Sequence, residues 1–295
     1  MAESAGKVPL HSNIHSTTNN DILWDPFSHS DNEPTPQSLL RIRREIKSLY
    51  EDPPPNIFVV ADEKDITVIH ALIAGAFDTP YEGGFFYFLL KFPGSYPLSP
   101  PWVKFMTTDG GTVRFNPNLY KNGKVCLSTL GTWPGPGWSP ANTLSSCLIS
   151  IQSLLSEKPY HNEPGYEKEK FFGDSQRYNE VIQHETLRVA VCGMIENDTG
   201  LSIPSSLVDI MEKTFLELYD IYEGIARKNM HLNKQKMCDP FGEKRGVFQY
   251  ETLLRRLLEC KKKVICKINT VSNESTSSSS SSTSSCTLDL DISPS

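Results

Sequence analysis

Hydrophobic and polar positions follow different periods in successive parts of the chain. Leu39, Ile42, Ile46 and Leu49 recur at helical spacing opposite Arg41, Arg44 and Lys47, which predicts a short amphipathic helix with a basic outer face. Thr35-Pro36 reads as its N-cap and first position, and Asp52 with Pro53-Pro54-Pro55 stops it. Four runs rich in β-branched and aromatic residues follow at 57–61, 66–74, 85–92 and 102–106, separated by turn residues. Connections this short suit an antiparallel meander rather than crossovers through helices.

From 110 to 140 the periodicity dissolves into a long loop dense in Gly, Pro, Asn and Trp, a feature that in a compact domain is usually functional. Helical spacing then returns. Ser139-Pro140 reads as a cap, and Leu144, Cys147, Leu148, Ile151, Leu154 and Leu155 line one face. A helix is predicted at 174–195, and two further helical stretches at 204–229 and 244–268. The pattern describes an α+β core, 35–195, with an N-terminal helix, a four-stranded antiparallel meander sheet and C-terminal helices, then a helical C-terminal extension, 196–270. Residues 1–34 and the Ser-rich 271–295 have too few apolar positions to offset the entropy of ordering and are expected to be disordered tails.

Composition narrows the class. Of 295 residues 38% are hydrophobic and 22% charged, and 29 Lys+Arg against 35 Asp+Glu leave a net charge of −6, too mild for polyanion binding by the whole molecule. The first twenty residues lack the apolar run of a signal peptide, and runs such as 71–77 fall far short of a membrane span. No nucleic acid and no membrane are therefore expected as partners, and location in cytoplasm and nucleus is. Seven cysteines without any CxxC spacing speak against zinc and disulfide frameworks; neither a metal nor another cofactor is expected.

One cysteine stands apart. Cys126, in Gly123-Lys124-Val125-Cys126-Leu127, lies in the long polar loop eight residues after Asn118 of Phe115-Asn116-Pro117-Asn118. A thiol between a small sheet and a helix, in polar surroundings, is placed like a nucleophile. Cys147 and Cys192, by contrast, lie on predicted helices.

The order of motifs resembles the ubiquitin-conjugating (UBC) family: a basic first helix, a Pro-rich break, Pro80-Tyr81-Glu82-Gly83-Gly84, Phe92-Pro93-Gly94-Ser95-Tyr96-Pro97 with Pro100-Pro101, then Asn116-Pro117-Asn118 where the family carries His-Pro-Asn, Cys126 at the family's spacing, and Trp138-Ser139-Pro140-Ala141. Pro159-Tyr160-His161-Asn162-Glu163-Pro164 and Asp239-Pro240-Phe241-Gly242-Glu243-Lys244-Arg245 extend the similarity beyond the shared core. The resemblance implies a UBC-like fold. It also implies a two-step acyl transfer in which an activating enzyme passes ubiquitin, or another ubiquitin-like modifier, to Cys126 as a thioester, and a substrate lysine then receives it, usually with a ligase. A noncanonical activating enzyme and a monomeric state belong to the same expectation.

By the same resemblance Asn118 serves either as oxyanion donor or as loop support, and Asn116 is structural. Ser128 stands where many relatives carry Asp, and the loop where the family often places an acidic residue reads His161-Asn162; His161 either assists proton transfer or is a plain surface residue, and Asn162 is its companion candidate. Arg41, Arg43 and Arg44 fall on the helix presented to the activating enzyme. Leu98, Pro140 and Ala141 fall on the ligase surface, with Leu98 replacing a common Phe. Phe58, on the first strand, is expected to block binding of a second ubiquitin on the back of the sheet. The last helix, with Lys244, Arg245, Arg255, Arg256, Lys261, Lys262, Lys263 and Lys267 opposite a stripe of Leu254, Leu257, Leu258 and Ile265, is expected to dock on its own domain. The competing readings are a catalytically silent UBC-fold adaptor and, remotely, a papain-like hydrolase.

Overall fold

The structure is a computed structural model, and it describes residues 24–29, 33–197 and 200–278, with side chains to 270. Thr35 accepts the Ser38 N–H at 3.1 Å to cap helix α1 (Pro36–Glu51), and the Ser38 hydroxyl donates to the carbonyls of Gly94 and Tyr96. The expected proline start therefore also pins the helix to the Phe92–Tyr96 turn. Strands β1 (Ile57–Ala61), β2 (Val68–Ala74), β3 (Phe85–Lys91) and β4 (Trp102–Phe105) pair antiparallel in sequence order, with registers Ile57↔Ile73, Val68↔Lys91 and Phe88↔Phe105. The meander is as expected.

Alternation sorts the strand residues onto two buried faces. Ile57, Ile69, Ala71, Ile73, Phe86, Phe88 and Leu90 join α1 and helix α2 (Leu144–Gln152) in one core. Leu72, Phe85 and Tyr87, with the partly buried Phe58 and Val60, join a second core built with the C-terminal extension. Burial on both faces is why β3 reads Phe-Phe-Tyr-Phe-Leu-Leu without polar interruption.

The extension consists of α5 (Ser205–Glu217), α6 (Tyr219–Lys228) and α7 (Tyr250–Ser278), following α3 (Asp174–Glu185), a π-helical stretch Thr186–Gly193 and the short α4 (Met194–Glu196). It is locked to the core by specific bonds. Tyr222 donates to the Gly83 carbonyl at 2.8 Å, and Gly83, at φ 67°, has no room for a side chain because a Cβ would lie 2.6 Å from the Tyr222 ring. The buried His184 Nε2 accepts the Gln249 N–H at 2.9 Å, and Arg256 pairs with Glu196.

Several boundaries differ from the sequence reading. Residues 24–29, assigned to a disordered tail, form a short 3-10 turn capped by Asp25, which pairs with Lys104 at 2.5 Å while His29 stacks on Trp102. The turn is held because Trp24, Phe27 and His29 bring aromatic surface to the exposed side of β4. Helix α2 is capped by Thr143 in a reciprocal box with Ser146, not by Ser139-Pro140. The stretch 204–229 breaks at Leu218. The last helix begins at Tyr250, six residues later than expected, and runs past 270 to Ser278. Its buried stripe is Leu253, Leu257, Cys260 and Val264, while Leu258 and Ile265 are exposed. Lys244 and Arg245 precede the helix. The stretches 1–23 and 279–295 lie outside the described residues.

Candidate active site

The loop between β4 and α2 is built around Asn116, which is fully buried. Its amide donates to the Tyr81 hydroxyl at 2.9 Å and the Leu154 carbonyl at 2.8 Å, and its Oδ1 accepts the Asn118 N–H at 2.9 Å. Tyr81 in turn donates to the Phe115 carbonyl. The structural reading of Asn116 thus has a full set of partners, as a buried amide requires.

Asn118 passes this order to Cys126. Its Nδ2 donates to the Cys126 carbonyl at 2.8 Å, and the Cys126 N–H donates to the Asn118 carbonyl at 2.9 Å. On the far side Thr132, a residue the sequence reading passed over, donates to the Val125 carbonyl at 2.6 Å and accepts the Leu127 N–H at 3.0 Å. Cys126 is therefore clamped from both directions. It is 3% exposed, and burial pushes its thiol above the usual range, opposed by the charges of Lys124 and Arg114 and by the neighbouring Tyr120.

Arg114 is a knot in this cluster. It donates to the Pro117 carbonyl at 2.6 Å and to Glu163 at 3.3 Å, and its guanidinium carbon lies 4.5 Å over the Tyr120 ring. Neither Arg114, Tyr120 nor Glu163 was singled out from the sequence. The sequence reading found no acidic residue at His161-Asn162; a carboxylate follows one position later, at Glu163, where it pairs with Arg114 at 3.3 Å. The available signal was the charge of Glu163 itself beside the turn-forming Pro164.

His161 turns its Nδ1 to the Tyr166 carbonyl at 2.7 Å and packs edge-on against Tyr160. Asn162 donates to Asn116 Oδ1 and the Leu154 carbonyl, both at 3.3 Å. Both residues brace the loop, and Asn162 joins it to the Asn116 hub.

The remaining candidates lie on α1 and around Trp138. Trp138 donates to the Pro97 carbonyl at 2.7 Å, which draws the exposed Leu98 together with the exposed Pro140 and Ala141. Arg41 is not a free docking group. It donates to the Asn142 carbonyl at 3.1 Å and pairs with Glu45, which also accepts from Tyr96 and from the Leu144 N–H. Arg43 and Arg44 are exposed.

An N-terminal helix, a four-stranded meander and a cysteine clamped in the following loop define an acyl-carrying enzyme of one known class: the ubiquitin-conjugating enzyme profile matches residues 41–184, and the chain belongs to that family. It is 58% identical over 251 residues to ubiquitin-conjugating enzyme E2 Z of Danio rerio, covering 84% of this chain and 74% of that protein. Identity to ubiquitin-conjugating enzyme E2 Z of Homo sapiens is 57% over 257 residues, covering 86% and 72%. The dual E2 ubiquitin-conjugating enzyme/E3 ubiquitin-protein ligase BIRC6 of Homo sapiens is 44% identical over 151 residues, 48% of this chain and 3% of that protein. The chain is a ubiquitin-conjugating enzyme working through a thioester, with ubiquitin, an activating enzyme, ligases and protein substrates as partners; the silent-adaptor reading is not favoured. Among the described residues no helix is long and apolar enough to cross a membrane.

Proposed function

We propose that Cys126 carries the thioester, an assignment supported above all by the pair of hydrogen bonds that ties it to Asn118 inside a charged, braced loop. In the first step the Cys126 thiolate attacks the carbonyl of the activating enzyme's thioester, the new C–S bond forms and the activating enzyme's thiolate leaves. Thiolate attack on a thioester is nearly symmetric in leaving group, so no paired base is needed.

In the second step a lysine amine attacks the Cys126 thioester. The C–N bond forms, the C–S bond breaks, Cys126 departs as thiolate, and the amine proton passes to Glu163 and on to solvent. Asn118 keeps the loop, and with it the thioester carbonyl, in place; the oxyanion role remains open to the second N–H of its amide.

Arg43 and Arg44 serve docking of the activating enzyme. Leu98, Pro140 and Ala141 serve docking of ligases, supported by their common exposure around Trp138. The likeness to E2 Z proteins supports extending the reading to a second ubiquitin-like modifier and a noncanonical activating enzyme. A monomer resident in cytoplasm and nucleus completes it.

The test is direct. The protein is incubated with ubiquitin, ATP and each of several activating enzymes, and run on gels with and without reductant. A reductant-sensitive adduct absent in Cys126→Ala, and a reductant-resistant oxyester in Cys126→Ser, are expected. An adduct that persists in Cys126→Ala would move the thioester to another cysteine.

A further inference from the structure

One part of the C-terminal extension leaves the second core and reaches the active site. Lys234 and Met237 donate to the carbonyls of Phe248 and Gly246, forming an antiparallel ribbon, and the loop it carries, 239–245, places Phe241 against the first core. Asp239 and Arg245 close that loop as an ion pair at 2.8 Å with side chains 0% and 5% exposed. Withdrawing two charges from water is costly, and apolar residues would serve mere docking better. Arg245 also reaches beyond its partner and donates to the Arg114 carbonyl at 2.7 Å.

That bond holds the backbone of the residue whose side chain reaches Pro117, Tyr120 and Glu163. The segment that carries Glu163 is held by Phe241. Its ring stacks on Tyr160 at 5.4 Å and lies 5.2 Å from Tyr166 and 4.9 Å from Tyr178. Tyr160 and Tyr166 flank Glu163 in the chain. A single loop thus holds both the segment that carries Arg114 and the segment that carries Glu163, and Lys121 of the first segment meets Glu243 at 3.5 Å on its outer side.

We propose that the 239–245 loop is a positioning element of the active site, in which Arg245 and Phe241 set the Arg114–Glu163 pair so that the Glu163 carboxylate can take the proton of the attacking lysine. The proposal rests on the conjugating activity assigned above. The extension is then a working part of the second chemical step and not only a cover for the sheet. Arg245 and Phe241 are positioning residues and touch no reactant themselves.

The test uses the full chain. Arg245→Lys keeps the charge opposite Asp239 but replaces a fork of donors by a point charge, which cannot pair with Asp239 and reach the Arg114 carbonyl with the same geometry. Phe241→Leu keeps the site apolar and removes the ring contacts. Each variant, with Glu163→Gln and the double variant Glu163→Gln/Arg245→Lys, is charged with ubiquitin and then discharged to free lysine in single turnover from pH 6 to 9, with thermal unfolding as the folding control.

The expected result is charging retained within a few-fold and discharge slowed on the order of ten-fold near neutral pH, because small displacements of a catalytic group have large rate effects. The loss should shrink as pH rises and the amine deprotonates in solution. The double variant should discharge no more slowly than Glu163→Gln alone, since both changes act through one group. Native discharge rates and pH profile in Arg245→Lys and Phe241→Leu, or additive losses in the double variant, would overturn the proposal. Failure of the native protein to charge would overturn both it and the reading beneath it.

Discussion

The side-chain amide of Asn118 and the carbonyl of Cys126 are joined at 2.8 Å, and the Cys126 N–H returns a bond to the Asn118 carbonyl at 2.9 Å. Two residues eight apart are thereby locked as a closed pair, and the segment that bears the thiol has little freedom to move relative to Asn116-Pro117-Asn118.

Asn118→Ala leaves the buried Cys126 carbonyl without its side-chain donor. The expected cost is ~1–3 kcal/mol of stability, read by thermal or denaturant unfolding. Because the bond supports the loop that both steps use, charging and lysine discharge should fall together. Loss of discharge alone, at full stability, would assign Asn118 to the oxyanion instead.

The Cys126 thiol is raised by burial, so less of it is thiolate at neutral pH than for a free cysteine of pKa about 8.5. Alkylation by iodoacetamide should follow a titration displaced to higher pH, measured with the exposed Cys238 and Cys266, and Cys286, replaced by Ser. Tyr120→Phe and Lys124→Ala each remove a group that favours the thiolate and should displace the profile further upward. A downward displacement would show that burial is not what governs this thiol.

The arginines of α1 should separate into two kinds. Arg43→Glu with Arg44→Glu is expected to slow charging several-fold and leave discharge of preformed thioester to lysine unchanged, which single-turnover assays resolve. Arg41→Ala should instead lower the unfolding midpoint, because it abandons the buried Glu45 and the Asn142 carbonyl.

Free ubiquitin should find no site on the outer face of the sheet. Phe58, Val60, Leu72 and Tyr87 are already packed with the extension, so titration into isotope-labelled protein should leave their resonances unmoved. Specific shifts there at native stability would mean that the extension lifts away. The sequence reading reached the same expectation from the bulk of Phe58 alone; the operative obstacle is a whole layer of helices.

Much of this was legible because it depends on near neighbours in the chain. The helix at Thr35-Pro36 and the four strands are local patterns, and each formed where spacing and turn residues placed it. Cys126 stood out by its setting in a polar loop, and the motif order around it carried the family. The cap of α2 was misread because Ser139-Pro140 and Thr143 are both acceptable caps locally, and the choice fell to Thr143, whose N-cap box closes with Ser146 while the buried Glu45 accepts the Leu144 N–H.

The sequence by itself determined the class of fold and the family, and it singled out Cys126 as the candidate nucleophile. Only the tertiary structure decided what surrounds Cys126. Arg114 and Glu163 are 49 residues apart, and Arg114 and Arg245 are 131 apart; no periodicity links them. Arg245 read as one more cation of a solvated helix, yet it is buried in an ion pair and bonded to the Arg114 carbonyl. Which of two similar charges is solvated and which is withdrawn from water depends on what the folded chain brings against it, and that is settled by packing across the molecule rather than by the residues on either side.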